Sequence, residues 1–300
     1  MDRPVNVLNA YDGSGVVFKF LRILGWQNLL NAGYFKIQDL PMLLSGLEYF
    51  QQKLVNKSIK LLEPQPGEKI LDVACGYGWT SNQIAKSDAQ VVGMDLLQEH
   101  IDLARQKFGD RHNLKYIVGD ATKMLSSTAT AGLAPESIDR MHCLEAAFHF
   151  GPQGRQAFLS QAFQLLKPGG RLVLVDFMWQ TSSPEEIDEL DPDLCVRETW
   201  QFEQFESLEG YRNLARESGF LEKQIIDWTI PVIKRFQNIS HPIPTLLKYK
   251  IPRSFLSFFK PELSQIKPDE WNLLVKVLQL HAQVIGRTFY IAMVLEKPAR

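Results

Sequence analysis

Cysteine is scarce in this 300-residue chain: Cys75, Cys143 and Cys195 are odd in number and show no C-x-x-C spacing. That pattern gives neither a disulfide framework nor a zinc signature, so no metal site is expected and a reducing, cytoplasmic setting is the plain reading. Charge of one sign is missing too. Against 33 basic residues stand 34 acidic ones, a formal net charge of -1, which calls for no nucleic-acid partner. No window reaches the ~18 consecutive apolar residues of a membrane span, and no apolar h-region follows Asp2 and Arg3; neither a span nor a signal peptide is expected. Internal repeats and low-complexity tracts are lacking. What remains is 45% hydrophobic and 22% charged, the composition of a globular protein with a substantial core.

Apolar runs of strand length recur along the middle of the chain: "KILDVA" (69–74), "QVVGMD" (90–95), "LKYIVGD" (114–120), "SIDRMHCLEA" (137–146) and "GRLVLVDF" (170–177). Between them, "WTSNQIAKS", "LQEHIDLARQKF" and "QGRQAFLSQAFQLLK" have helical periodicity and end near Gly or Pro. Strand and helix therefore alternate, which predicts an α/β, doubly wound and mostly parallel sheet covered on both faces. A further helix, "SLEGYRNLARESGF", closes at Gly219 before a strand in "LEKQIIDWTI", and a last strand, "RTFYIAMVLEK", starts at Arg287. Residues 1–60 read as a helical N-terminal cover, with Val16, Val17, Phe20, Ile23 and Leu24 spaced for one face. Residues 232–285 are helix-like and broken by Pro242, Pro244, Pro252, Pro261 and Pro268, an inserted cap. The core is then expected in residues 61–231 and 286–300.

The turn after the first strand, "DVACGYGW", carries glycines at Gly76 and Gly78 ahead of a helix. Glycine lets backbone approach a ligand, and the helix start supplies free N–H groups. A plain tight turn would look the same. Two further carboxylates shift the weight: Asp95 ends the second strand, 23 positions after Asp72, where an acid accepts ribose hydroxyls, and Asp120 ends the third. A nicotinamide dinucleotide would want a third glycine or an alanine where Ser81 stands, and its pyrophosphate would be repelled by Asp72. An ammonium group would be attracted. The turn suits a nucleoside with an amino-acid tail.

At these residues the sequence resembles the class I S-adenosylmethionine-dependent methyltransferases. "LDVACGYG", "VVGMDL", "VGDAT" and "LLKPGGRLVLVDF" are similar to successive family motifs over about residues 60–230. The resemblance implies a Rossmann-like sheet of seven strands with the last antiparallel, S-adenosylmethionine as cofactor and S-adenosylhomocysteine as product. It also implies that Asp72, Ala74, Gly76 and Gly78 hold the methionine part, Asp95 with Leu96 the ribose, and Asp120 with Ala121 the adenine, while Cys143 lines the same pocket. Many members have glycine where this chain has Ala74. "AYDGSG" and "LLNAGYF" resemble the small-molecule branch acting on tocopherols, sterols, benzylisoquinolines, sugars and polyketides, in which these segments fold over the cofactor. Tyr11 and Tyr34 are then candidate contacts, or simply packed aromatics.

Methyl transfer from a sulfonium needs alignment and exclusion of water, and an oxygen acceptor must also lose a proton. His149, in "CLEAAFHFGP", is the candidate general base, matching a histidine that small-molecule members often carry there; the alternative is an imidazole buried between Phe148 and Phe150. His142 is read as structural. Glu145 could cap the next helix, orient His149 or line the pocket. Trp200, Phe202, Phe205, Trp228, Phe236, Phe255, Phe258 and Phe259 either form the core of the cap or present a wall to a partly apolar small-molecule acceptor. "RSFLSFFK" reads either as a peripheral membrane contact or as one buried helix face. The expectation is O-methylation of a natural product; a C-methyltransferase of terpenoids, sterols or polyketides and a non-catalytic nucleoside-binding protein are the alternatives.

Overall fold

A computed structural model describes residues 15–23, 28–129, 131–181, 183 and 186–299. The strands are β1 Lys69–Val73, β2 Gln90–Asp95, β3 Leu114–Val118, β4 Ile138–Leu144, β5 Leu166–Trp179, β6 Leu221–Asp227 and β7 Thr288–Glu296. Before them run α1 Val16–Ile23 and α2 Glu48–Leu62; among them run α3 Trp79–Ile84, α4 Gln98–Phe108, α5 Met124–Ala129 and α6 Gly151–Leu165. After β5 come α7 Glu186–Leu190, α8 Cys195–Trp200 and α9 Leu208–Ser218. Between β6 and β7 lie α10 Arg235–Ser240, α11 Pro242–Leu246, α12 Lys250–Phe259 and α13 Pro268–Gly286.

The seven strands form one sheet in the order β3-β2-β1-β4-β5-β7-β6. Neighbours from β3 through β5 pair in parallel, and β7 pairs antiparallel with both β5 and β6, as the motif order implied. Burial explains which strands take the middle. β1, β7 and the part of β5 from Leu172 onward are mostly apolar and almost wholly buried, while the last, β6, exposes Leu221, Glu222, Lys223 and Gln224 at the edge. One face is covered by Phe158, Leu159, Ala162 and Leu165 of α6 with Tyr211 and Ala215 of α9. Leu54 and Leu62 of α2 with Ile101 and Ala104 of α4 cover the other. Each fully buried side chain of this kind contributes about 1.5–3 kcal/mol.

Local signals set the helix ends. Ser207 accepts the Gly210 N–H at 2.9 Å to start α9, and Gly219, at φ 100°, stops it. Several strand boundaries differ from the sequence pattern, among them the start of β5, at Leu166 rather than Gly170, and the end of β6. β6 stops at Asp227 rather than continuing to Ile230, because the Asp227 carboxylate accepts the Thr229 N–H at 2.7 Å and turns the chain into a π-helical turn, Ile230–Lys234. Sheet order reverses between β1 and β4, so a crevice opens beyond the carboxyl ends of β1 to β4.

Candidate active site

A cavity of about 1580 Å³ lies at that crevice. It exceeds the roughly 300–1,000 Å³ usual for one small ligand, which leaves room for a cofactor and an acceptor together. At the strand ends it is lined by Asp72, Ala74, Gly76, Asp95, Leu96, Asp120 and Ala121. On the other side stand Trp200, Phe202, Phe205 and Phe236 with Leu278, His281 and Ile285 of α13.

The β1 turn is shaped by left-handed backbone at Ala74 (φ 54°) and Gly76 (φ 53°). A non-glycine residue there costs about 1–2 kcal/mol, which accounts for the glycine many family members carry at the Ala74 position. A Cβ on Gly76 would meet only Leu30, at 3.7 Å, so open space lies over the turn. Asp95 is buried and braces the turn: its carboxylate accepts N–H bonds from Gly76 (2.8 Å) and Leu97 (3.0 Å) and lies 3.1 Å from His100 Nδ1. Asp120 accepts from the Thr122 N–H (2.8 Å) and hydroxyl (2.7 Å) and so caps the short turn after β3. Leu96 is half exposed at the rim, and Ala121 is buried.

Asp72 lies on the cavity floor at the centre of a buried hydrogen-bonded chain. Ser81 Oγ donates to it at 2.6 Å, and His142 bridges its carboxylate (2.8 Å) and Ser58 Oγ of α2 (2.8 Å). His142 is structural in this sense.

Three sequence expectations need correction. Gly78 does not line the cavity: its N–H is held by the Cys75 carbonyl, and a Cβ would fall 2.7 Å from Ala104 and 2.8 Å from the Tyr116 ring. It is a packing glycine, required at φ 79°. Cys143 is fully buried in the opposite core, because strand residues alternate faces and its neighbours His142 and Leu144 are those that reach the cavity. Burial pushes its thiol pKa well up. Tyr34 points away as well. The Asn31 side chain accepts the Gly33 N–H, Gly33 turns the chain at φ 88°, and the Tyr34 ring then packs against Trp228 and beneath Lys57. Residues 28–32 line the cavity instead. Tyr11 lies outside the described residues.

His149 sits on the short helical turn Ala147–Phe150 after β4, buried in the cavity wall. Its Nδ1–H donates to the Gln201 carbonyl at 3.0 Å, which fixes Nε2 as the basic nitrogen. Burial lowers its pKa to about 4, against smaller opposing effects of the Gln201 bond and Asp95. Glu145 orients neither His149 nor a helix. It stands at φ 51°, and its carboxylate accepts the Ala32 N–H (3.0 and 3.1 Å) and the Tyr290 hydroxyl (2.5 Å). Burial raises its pKa to about 7, although both of those bonds pull it down. Glu145 thus ties the 28–32 segment to the end of the sheet.

The segment "LLNAGYF" does reach the cavity, through Leu29, Leu30, Asn31 and Ala32 rather than Tyr34. Sequence reasoning missed the α13 face, which had a readable signal, since Leu278, His281 and Ile285 recur at helical spacing. Of the named aromatics, Trp200, Phe202, Phe205 and Phe236 reach the cavity, Trp228 belongs to the core under the sheet, and Phe255, Phe258 and Phe259 are exposed.

A family model described as a methyltransferase domain matches residues 70–170. An O-methyltransferase of Pyrenophora dematioidea is 26% identical over 204 residues, 66% of this chain and 70% of that one. The erythromycin 3''-O-methyltransferase of Saccharopolyspora erythraea is 28% identical over 208 residues, 65% of this chain and 63% of that one. The match thus spans about two thirds of these relatives. Among solved structures, the cyclopropane synthase MmaA2 of Mycobacterium tuberculosis superposes with a TM-score of 0.72 at 20% identity, over 97% of each chain, a likeness of fold. Residues 70–170 thus form a methyltransferase domain, and the sheet order is that typical of the class I S-adenosylmethionine-dependent methyltransferases. S-adenosylmethionine is its cofactor, and the residues present fit it: left-handed backbone with open space above Gly76, and carboxylates at three successive strand ends.

Proposed function

We propose that this protein transfers a methyl group from S-adenosylmethionine to a hydroxyl oxygen of a small, partly apolar natural-product acceptor, with His149 as general base. The observation that carries the reading is His149 itself: a buried imidazole in the cavity wall, on the loop after β4, tied by Nδ1 to the aromatic segment at Gln201. S-adenosylmethionine supplies a methyl group on a sulfonium. Asp95 and Leu96 would flank its ribose, Asp120 and Ala121 its adenine, and Ala74 and Gly76 its methionine part, beside the Asp72 carboxylate.

An acceptor hydroxyl becomes strongly acidic as its oxygen takes on the methyl group, so a weak base suffices to remove the proton. The lowered pKa keeps His149 neutral, with Nε2 able to accept, throughout the physiological range. Phe148, Phe202 and Phe205 pack together beside it, with ring centroids 4.5 to 5.9 Å apart, and exclude water. The same rings favour a second reading, a carbon acceptor of terpenoid or polyketide type, since aromatic faces stabilise a transient cation.

The test is product identification. The chain is incubated with S-adenosylmethionine and hydroxylated apolar acceptors, and the methylated atom is assigned by NMR. An O-methyl ether formed with S-adenosylhomocysteine supports the first reading. A new C-methyl group replaces it with the second, and cofactor binding without turnover on any acceptor defeats both.

A further inference from the structure

We propose that residues 242–259 form a docking foot for an anionic lipid bilayer, set at the rim of the acceptor cavity. Helix α12 is amphipathic in an unusual direction. Its inner side is held by Arg253, which lies 5.3 Å over the Trp271 ring and donates to the Leu247 carbonyl, and by the half-buried Leu256. Its outer side presents Ile251, Phe255, Phe258 and Phe259, spaced i, i+4, i+7 and i+8. These are 83%, 64%, 80% and 63% exposed. Four large apolar side chains side by side in water make this a costly face to leave uncovered.

Charge identifies the occupant. From Trp228 to Pro261 the chain contains no Asp or Glu, yet it carries Lys234, Arg235, Lys248, Lys250, Arg253 and Lys260. Lys248, Lys250 and Lys260 are exposed and flank the phenylalanines. Apolar rings ringed by lysines with no acid among them suit anionic headgroups over acyl chains. An interface between proteins would be expected to carry matched acidic and basic groups at its rim.

Continuity with the cavity gives the foot a purpose. In α11, Ile243 is 38% exposed and also lines the cavity, and Leu246, 52% exposed, follows it toward α12. An apolar path therefore runs from the exposed phenylalanines to the acceptor side of the cavity. That the acceptor is drawn from the bilayer rests on the methyl-transfer reading; attachment to lipid does not.

The experiment is co-sedimentation of the full chain with vesicles of phosphatidylcholine containing phosphatidylglycerol, against pure phosphatidylcholine. Binding is expected to the anionic vesicles and to weaken with added salt. Phe258→Ser should lower the partition coefficient about tenfold or more, and Phe255→Ser by a similar factor. Replacing Lys250 by Ala should cost about fivefold. Each variant should bind S-adenosylmethionine as the parent does, which certifies folding. Three results would overturn the proposal: no binding to anionic vesicles at low salt, equal binding of the Phe255→Ser/Phe258→Ser double variant, or a dimer in sedimentation that the double variant dissolves. The last would make the face a contact between copies. A chain that binds vesicles yet methylates nothing would sink only the function proposed above.

Discussion

The two sides of the cavity are built on different principles. On the strand-end side, three carboxylates are held by backbone N–H groups, Asp95 by Gly76 and Leu97, Asp120 by Thr122 and Glu145 by Ala32, and the fourth, Asp72, by Ser81 and His142 beneath it. Shape there follows from register, and a one-residue change alters it. On the acceptor side the wall is made of side chains from segments far apart in the chain, Phe148, Trp200, Phe202, Phe205, Phe236 and His281, held by ring packing. Such a wall can change shape by exchanging one apolar residue for another. One fold can thereby keep a cofactor site fixed while its acceptor site varies.

Four substitutions would break or sharpen this contrast. His149→Ala should lower kcat by roughly 100-fold or more while leaving cofactor affinity nearly unchanged, as measured by single-turnover kinetics and calorimetry. An equal loss in affinity would place His149 on the cofactor side instead. Gly78→Ala, which forces a Cβ into Ala104 and Tyr116 at left-handed φ, should cost about 2–3 kcal/mol in urea unfolding. A neutral outcome would mean that the turn does not need its close approach to β3. Asp95→Ala should weaken cofactor binding by about 1–3 kcal/mol and also lower stability, since it orphans the Gly76 and Leu97 N–H groups. Unchanged calorimetric affinity would count against the ribose assignment.

The fourth test is a pH dependence of stability. Glu145 has a folded pKa of about 7 against an ordinary value of 4.5, so between those values the folded chain keeps a proton that the unfolded chain has lost. Its contribution to stability is complete below about pH 4.5 and is lost as pH rises through about 7. His149 and His281 act oppositely: each is lowered from 6.5 to about 4 by burial, so their contribution is present above pH 6.5 and lost as pH falls toward 4. Glu145→Gln cannot titrate. The difference in unfolding free energy between parent and variant should change across pH 4.5 to 7 by about 3 kcal/mol. A constant difference would show that the carboxyl is ionised throughout.

Much of the strand-end side was legible in the sequence, because alternation fixes the strands, topology fixes which ends converge, and acids at those ends have few other places to point. What was not legible has definite causes. Cys143 was misjudged by strand parity, since a motif names a stretch while the pleat decides which of two neighbours faces the ligand. Tyr34 was misjudged because the Asn31–Gly33 turn reverses direction within three residues, and Gly78 because its neighbour Tyr116 is 38 positions away. The acceptor wall left almost no trace. The aromatics that line it and those that turn outward, Phe202 and Phe258 for instance, are the same residue type in similar company, and only tertiary packing separates them.

The link from Ser58 through His142 and Asp72 to Ser81 carries one more implication. It fastens an outer helix, two strands and the helix that follows the cofactor-gripping loop into a single stiff strut of buried side chains. A ligand settling on that loop therefore meets a surface already braced from behind, and little ordering is left for binding to accomplish.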